Sequence, residues 1–213
     1  MGGGRTLSAR RHDGTVFPAE IRISEIEADG KAWSVTIVRD VTEHENERAR
    51  LRHLSTHDEL TGLFNRNFFE AEKTRLERGR ERPVSVIVLD VDGLKDLNDA
   101  RGHEAGDGVL RRLGAVLRRA FRDEDVVARV GGDEFAVLLP GLDAQARAAA
   151  MKRFAQDLER HNELSAGPQL RVSAGGATAP NGHALTMALR LADVRMYDQK
   201  QERHNRGAAA PAH

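Results

Sequence analysis

The stretch Arg129-Val130-Gly131-Gly132-Asp133-Glu134-Phe135 lies between two strand-like apolar runs, Val126 to Val130 and Phe135 to Leu139, and constrains this chain more than any other feature. A Gly-Gly pair between such runs predicts a hairpin, because both turn positions tolerate positive φ. The next two residues are acids. A tight turn holds such carboxylates near solvent, beside backbone amides that a ligand approaches without Cβ clashes, which suits the handling of metal-bound phosphates. A solvated hairpin tip would carry the same letters, so the rest of the chain must decide.

Composition narrows the choice. A chain of 213 residues accommodates one or two domains, and its 39% hydrophobic content is on the low side but supports a core at that length. Cysteine is absent, which excludes a disulfide framework, a thiol nucleophile and a cysteine-ligated zinc. Lys plus Arg equals Asp plus Glu at 33 each, which argues against a nucleic-acid polymer as partner despite local basic runs such as Arg118-Arg119. No apolar run approaches the roughly 18 residues of a spanning helix, and no signal peptide is visible. The expected location is cytoplasmic.

Three segments are expected. Residues 1–42 read as strands and turns: turn signals at Asp13-Gly14 and Asp29-Gly30, alternation from Val16 to Ile23, a β-rich run from Ala32 to Val38. That much sheet makes a poor independent core. Residues 43–57 are charged, free of Pro and Gly, and place Leu51 and Leu54 on one helical face. Residues 58–206 form the main domain, and 207–213 read as a disordered Ala/Pro tail.

Within the main domain, helical spacing is expected over 68–80, 107–121, 145–162 and 185–200, and strands over 84–89 and 170–177. Asp90, Val91 and Asp92 fall at the end of the run Val84 to Leu89, a strand end where α/β folds place ligand chemistry. A calcium loop does not fit this segment, since Leu94 stands where a ligand belongs and Lys95 where the glycine belongs.

Several spaced motifs in order identify a family. They are Asp58-Glu59-Leu60-Thr61-Gly62-Leu63-Phe64-Asn65-Arg66, Asp90-Val91-Asp92-Gly93-Leu94-Lys95-Asp96-Leu97-Asn98-Asp99, Gly102-His103-Glu104-Ala105-Gly106-Asp107, the hairpin, and Tyr197-Asp198-Gln199-Lys200. From residue 55 to about 206 the chain resembles the GGDEF family of diguanylate cyclases. Residues 1–42 look like the C-terminal half of a PAS sensor domain, and 43–57 like the signalling helix that joins sensor to output.

The resemblance implies an α/β fold of α+β type: a ferredoxin-like, nucleotide-cyclase sheet, mostly antiparallel and flanked by helices. It implies a nucleotidyltransferase that condenses two GTP into cyclic di-GMP in a homodimer, with Mg2+ or Mn2+ as cofactor and cyclic di-GMP as feedback inhibitor. Asp90, the Val91 carbonyl and Asp133 would hold metal, with Glu134 assisting metal binding or deprotonation. Lys95, Asn98, His103, Asp107, Gly132 and Lys200 form the GTP-binding set. Asn98 and Asp107 would read guanine, and His103 would be structural rather than a base. Asp107 also suits a helix N-cap, Lys95 a solvated lysine, and Asp92 a structural role.

The resemblance further implies that Arg122 and Asp125 form an inhibitory product site, completed by Arg153 from a second domain. Near its end the chain departs from the pattern: Arg203 stands where the family has glycine and His204 where it has a phosphate-binding arginine. A neutral imidazole does not replace a permanent guanidinium charge, though Arg203 or Arg206 would compensate. The alternative expectation is therefore a GGDEF-fold module that binds GTP or cyclic di-GMP without turnover.

Overall fold

The computed structural model describes residues 5–28, 30–79 and 83–208. The chain divides after Leu54 into two compact units. In the first, β1 (Arg5–Arg10), β2 (Val16–Ala28) and β3 (Lys31–Asp40) form an antiparallel sheet in sequence order. Gly14 takes φ 88° in the first turn, as the Asp13-Gly14 signal predicts; Asp29, of the second, lies outside the described residues. Ala19 is buried, whereas Ile23, Ile26, Trp33, Val35, Ile37 and Val38 are exposed, so the sheet has almost no core of its own. Helix α1 (Thr42–Thr56) follows at the expected place, with Leu51 and Leu54 exposed.

The second unit is a sheet of order β4-β6-β7-β5-β8. The strands are β4 (Phe64–Asn65), β5 (Val84–Val91), β6 (Val126–Arg129), β7 (Glu134–Pro140) and β8 (Val172–Ala179). All pairings are antiparallel except β4 with β6. The β-branched run Val84–Val91 lies between β7 and β8 and is buried along its whole length, with Asp90 at its end facing Glu134 on β7 and Ser173 on β8.

Helices cover both faces. On one, α4 (His103–Ala120) and α5 (Ala144–Leu164) bury Leu110, Leu113, Leu117 and Phe154 against Ile87, Leu89, Phe135 and Val137. On the other, α2 (Arg66–Arg78) and α6 (Leu185–Ala208) bury Phe69, Leu76, Ala188 and Ala192 against Val86, Val88 and Leu138. Alternation along β5 and β7 divides their side chains between the two faces. Asp143 and Asn65 cap α5 and α2 by accepting the N–H of Ala146 and Phe68.

Three expectations change. A helix α3 (Leu94–Arg101), not foreseen, occupies the segment after β5 and carries Lys95 and Asn98. Helix α4 begins at His103 rather than Asp107, because Gly102, at φ 80°, breaks α3 from α4. Asp107 is therefore in the second turn and is no N-cap. Of the expected tail, Gly207 and Ala208 continue α6, and residues 209–213 lie outside the described residues.

Candidate functional site

The hairpin forms where expected, with Arg129 paired to Phe135 across it, but for a different reason. Neither Gly131 nor Gly132 is among the glycines with positive φ. The N–H groups of Val130 and Gly131 both donate to the Glu134 carbonyl, at 3.0 and 3.2 Å. A Cβ on Gly131 would lie 2.5 Å from Glu134 Oε2, so the missing side chain makes room for the acid.

Sheet register then brings the acids together. Glu134 sits directly opposite Asp90, and Asp133 opposite Val91, whose N–H donates to the Asp133 carbonyl at 3.0 Å. Asp90 is buried, with 6% of its surface exposed; Asp133 is half-buried and Glu134 exposed. From α6, Lys200 Nζ reaches Asp90 Oδ1 at 2.5 Å. One helical turn on, Arg203 Nη1 meets Asp92 Oδ2 at 3.2 Å, while Ser173 donates to Asp92 Oδ1 at 2.8 Å. Asp92 is thus tied to β8 and α6, while Gly93 stands at the N-cap of α3.

The electrostatics follow. Burial pushes the Asp90 carboxyl above the ordinary carboxylate range, Lys200 pulls it down, and Asp133 and Asp92 push it up. A simple ion pair would lower it; burial, with the two neighbouring carboxylates adding to it, outweighs Lys200 and leaves a net rise. Burial disfavours the Lys200 ammonium, but its hydrogen bond to Asp90 and the charges of Asp90, Asp133 and Asp92 outweigh this and raise its pKa. Among the described residues no group of three or more His, Asp or Glu is placed to hold a metal ion by itself. Two carboxylates and a carbonyl are hard oxygen donors in the small number magnesium accepts while keeping water and phosphate oxygens. The residues present therefore fit the group.

A second cluster forms between α3 and α4. Gly106 lies against Asn98: a Cβ there would be 2.0 Å from Asn98 Oδ1. That oxygen is buried without a hydrogen-bond partner, a cost that normally has a reason. Asp107 is the next residue along α4 and lies 3.9 Å from Arg111. Lys95 and His103 are exposed at the starts of α3 and α4.

The third cluster lies elsewhere on the domain. Arg122 and Asp125 line a cleft of about 230 Å³ with His57, Arg118 and Asp123. The Arg122 main-chain N–H donates to Asp125 Oδ2 at 2.9 Å, and burial pushes the Asp125 carboxyl upward against that bond. Arg153 donates through Nε to the Ala120 carbonyl at 3.0 Å, and its charge acts on Asp125 from within the same chain.

Sequence reasoning assigned no role to Arg129. It contacts Asp58 through Nη1 at 3.2 Å and donates to the Gly132 carbonyl through Nη2 at 2.8 Å. Both residues stand within the quoted motifs, but nothing in the one-dimensional pattern joins them. The same holds for Gln199, which accepts the Ala174 N–H at 2.7 Å and fixes α6 to β8 one residue before Lys200. Of the two residues that depart from the family pattern, Arg203 is engaged with Asp92 and His204 is exposed. The side chain of Arg206 lies outside the described residues.

An antiparallel sheet with an acidic hairpin tip beside a buried strand-end aspartate defines a class, nucleotide-handling domains of the cyclase type. Residues 55–206 match the family described as diguanylate cyclase, GGDEF domain, and the chain belongs to that family. Diguanylate cyclase TpbB of Pseudomonas aeruginosa is 39% identical over 166 residues, which cover 74% of this chain and 38% of that protein. Probable diguanylate cyclase DgcT of Escherichia coli K12 is 34% identical over 161 residues, 73% of this chain and 36% of that protein. The chain thus spans well under half the length of these curated relatives. Among solved structures, the coiled coil and GGDEF domain of DgcB from Caulobacter crescentus in complex with c-di-GMP superposes with a TM-score of 0.68 at 28% identity. That match covers 76% of this chain and 89% of that one. The mostly antiparallel sheet flanked by helices is the fold the motifs imply. Among the described residues no helix is long and apolar enough to cross a membrane.

Proposed function

We propose that this chain is a diguanylate cyclase: it condenses two GTP into cyclic di-GMP and two pyrophosphates. The carrying observation is the register that sets Glu134 opposite Asp90 and Asp133 beside Val91 at the paired ends of β5 and β7, with Lys200 against Asp90. Asp90, the Val91 carbonyl and Asp133 are the residues that would hold Mg2+ or Mn2+. Bound there, such an ion supplies charge neutralisation at the α-phosphate and acidity at the 3′-hydroxyl. The remaining work belongs to the chain. The main chain of Asp133 is fixed by its carbonyl bond to Val91, which places the residue at the tip beside Asp90. Glu134, exposed and opposite Asp90, is the group within reach of a hydroxyl proton. Lys95 and Lys200 bring ammonium charge to the triphosphate.

Asn98 and Asp107 select the base. A carboxylate accepts from both N1–H and the 2-amino group of guanine, a pair that adenine lacks, and an acid left unpaired against adenine costs roughly 1–3 kcal/mol. The buried, unpartnered Asn98 oxygen supports a ligand-directed role.

One domain carries one GTP site, so two copies must face each other to close two phosphodiester bonds; the homodimer is part of the proposal. Product binding by Arg122 and Asp125, with Arg153 beside them, would provide feedback away from the hairpin. The second reading is a module that binds GTP or cyclic di-GMP without turnover. It draws on His204, which is exposed where the family pattern has an arginine. Incubating the purified chain with GTP and magnesium, followed by nucleotide chromatography, decides between them. Cyclic di-GMP formed at a specific activity that rises with protein concentration is expected; GTP recovered intact at all concentrations overturns the cyclase.

A further inference from the structure

We propose that Lys200 makes metal binding conditional on the nucleotide, by occupying Asp90 until a triphosphate arrives to receive the lysine. The inference rests on the cyclase reading of this site and adds a positioning role for one of its residues. Lys200 Nζ contacts Asp90 Oδ1 at 2.5 Å, and Asp90 retains only 6% of its surface exposed. The carboxylate that a cation needs is thus already paired, on a side with little room for another ligand. Lys200 itself is held in register, because the neighbouring Gln199 accepts the Ala174 N–H and Arg195, on the same helix, donates to the Gly176 carbonyl at 2.5 Å.

A cation that approaches the free chain must therefore expel an ammonium from a site where Asp133 and Asp92 also hold it electrostatically. Asp92 is already bonded to Arg203 and Ser173, so the expelled lysine would exchange a buried carboxylate for solvent. A triphosphate changes this. Its oxygens give Lys200 a new anionic partner while the cation takes over Asp90, so one exchange replaces two unfavourable steps. Metal and nucleotide then bind together with positive coupling, and linkage requires each to raise the affinity of the other by the same factor. Free metal alone would leave the site largely unfilled, and nucleotide without metal would leave Lys200 on Asp90.

The test uses Mn2+ as the metal and 3′-deoxy-GTP as a nucleotide that lacks the attacking hydroxyl. Free Mn2+ affinity of the whole chain is measured by electron paramagnetic resonance with and without nucleotide. In the native chain, weak Mn2+ binding that strengthens at least tenfold with nucleotide is expected, within the usual coupling range of roughly 5–150-fold. In Lys200→Met, free Mn2+ should bind about tenfold more tightly and the coupling should shrink by a similar factor. In Lys200→Arg, which keeps the charge on Asp90, free Mn2+ should bind no more tightly than in the native chain. Equal free-metal affinity in the native chain and folded Lys200→Met overturns the inference, as does tighter free-metal binding by Lys200→Arg. The latter outcome remains decisive if the methionine variant does not fold. Failure of the cyclase reading looks different: no Mn2+ binding to any form even with nucleotide present.

Discussion

Arg129 holds Asp58 and the Gly132 carbonyl with one guanidinium, at 3.2 and 2.8 Å. It thereby ties the hairpin tip to the loop that opens the domain. Asp58 is itself organised by Thr61, whose N–H donates to Oδ1 at 2.9 Å and whose hydroxyl donates to the same oxygen at 2.7 Å. The acids of the turn are aimed by this bracket as much as by the strands on either side. Arg129→Met should cost about 1–3 kcal/mol of stability, since it strips a half-buried carboxylate of its charged partner. It should lower turnover about 100-fold, because a displacement near 1 Å at a reacting group is worth that much. Urea unfolding and saturating-GTP rates measure the two effects. A stability loss with native turnover would reduce the bracket to a purely structural tie.

Asp58 also sets a pH dependence. Burial pushes its carboxyl upward, but the Thr61 hydroxyl and N–H and the Arg129 guanidinium outweigh it and hold the pKa below the usual range. An unfolded aspartate titrates near 3.9. The stabilisation is therefore fully present above that value and is lost as pH falls through the lower folded pKa. Asp58→Asn should be less stable than the native chain by about 1–2 kcal/mol at pH 7, with the gap closing below about pH 4. Paired urea midpoints from pH 7 down to the acid limit of the fold provide the check. A gap of constant size would mean that shape, not charge, carries the contribution.

Asp133→Asn separates stability from chemistry. The Asp133 carboxylate makes no hydrogen bond among the described residues, and the bond that places it uses its main-chain carbonyl. Its negative charge raises the neighbouring Asp90. Removing that charge should leave the melting temperature unchanged or slightly higher. Turnover should fall by at least about 100-fold through loss of a metal ligand. Near-native turnover in a folded Asp133→Asn would dismiss the metal assignment.

Much of this site was legible in one dimension, and the limits have physical causes. The hairpin, the buried strand β5 and its terminal Asp90 were readable because apolar runs and a Gly-Gly break are local signals. The break between α3 and α4 was missed because the single residue Gly102 separates them, and the large apolar positions of α4 start only with Val109. Arg129 with Asp58, Lys200 with Asp90 and Arg203 with Asp92 are pairs of charged residues far apart in sequence. Charge has no periodicity to betray its partner, so only the sheet order reveals them. The tolerance of positive φ that makes Gly-Gly a hairpin signal is not used at Gly131; that position gives steric room to Glu134.

Arg122→Ala isolates the proposed product site. The Asp125 carboxylate is held by the main-chain N–H of Arg122, not by its guanidinium. The substitution should leave Asp125 in place and remove a cation from the cleft shared with Arg118 and Asp123. Inhibition by added cyclic di-GMP should weaken by tenfold or more while the uninhibited rate holds. An unchanged inhibition constant would reject Arg122 as part of that site.

Gly175 and Gly176 give the sharpest contrast available on one strand. A Cβ on Gly175 would lie 2.0 Å from the Ala192 carbonyl oxygen and 2.3 Å from the Met196 N–H nitrogen, both main-chain atoms of α6. A Cβ on Gly176 would meet Met151 Sδ at 2.8 Å and the Arg147 side chain at 3.0 Å, groups that rotate aside. Gly175→Ala must therefore push α6 away from β8, and α6 carries Lys200 and Arg203 to the carboxylates. Overpacking of this kind costs about 1–3 kcal/mol, more when the backbone must move. Gly176→Ala should sit at or below the bottom of that range. The functional consequence is asymmetric too: Gly175→Ala should raise the Michaelis constant for GTP and weaken metal coupling even in the fraction that stays folded, because Lys200 withdraws from Asp90. Gly176→Ala should leave both unchanged. Melting temperatures and GTP titrations of the two variants side by side test this, and equal effects would show that the approach of α6 to β8 does not set the position of Lys200.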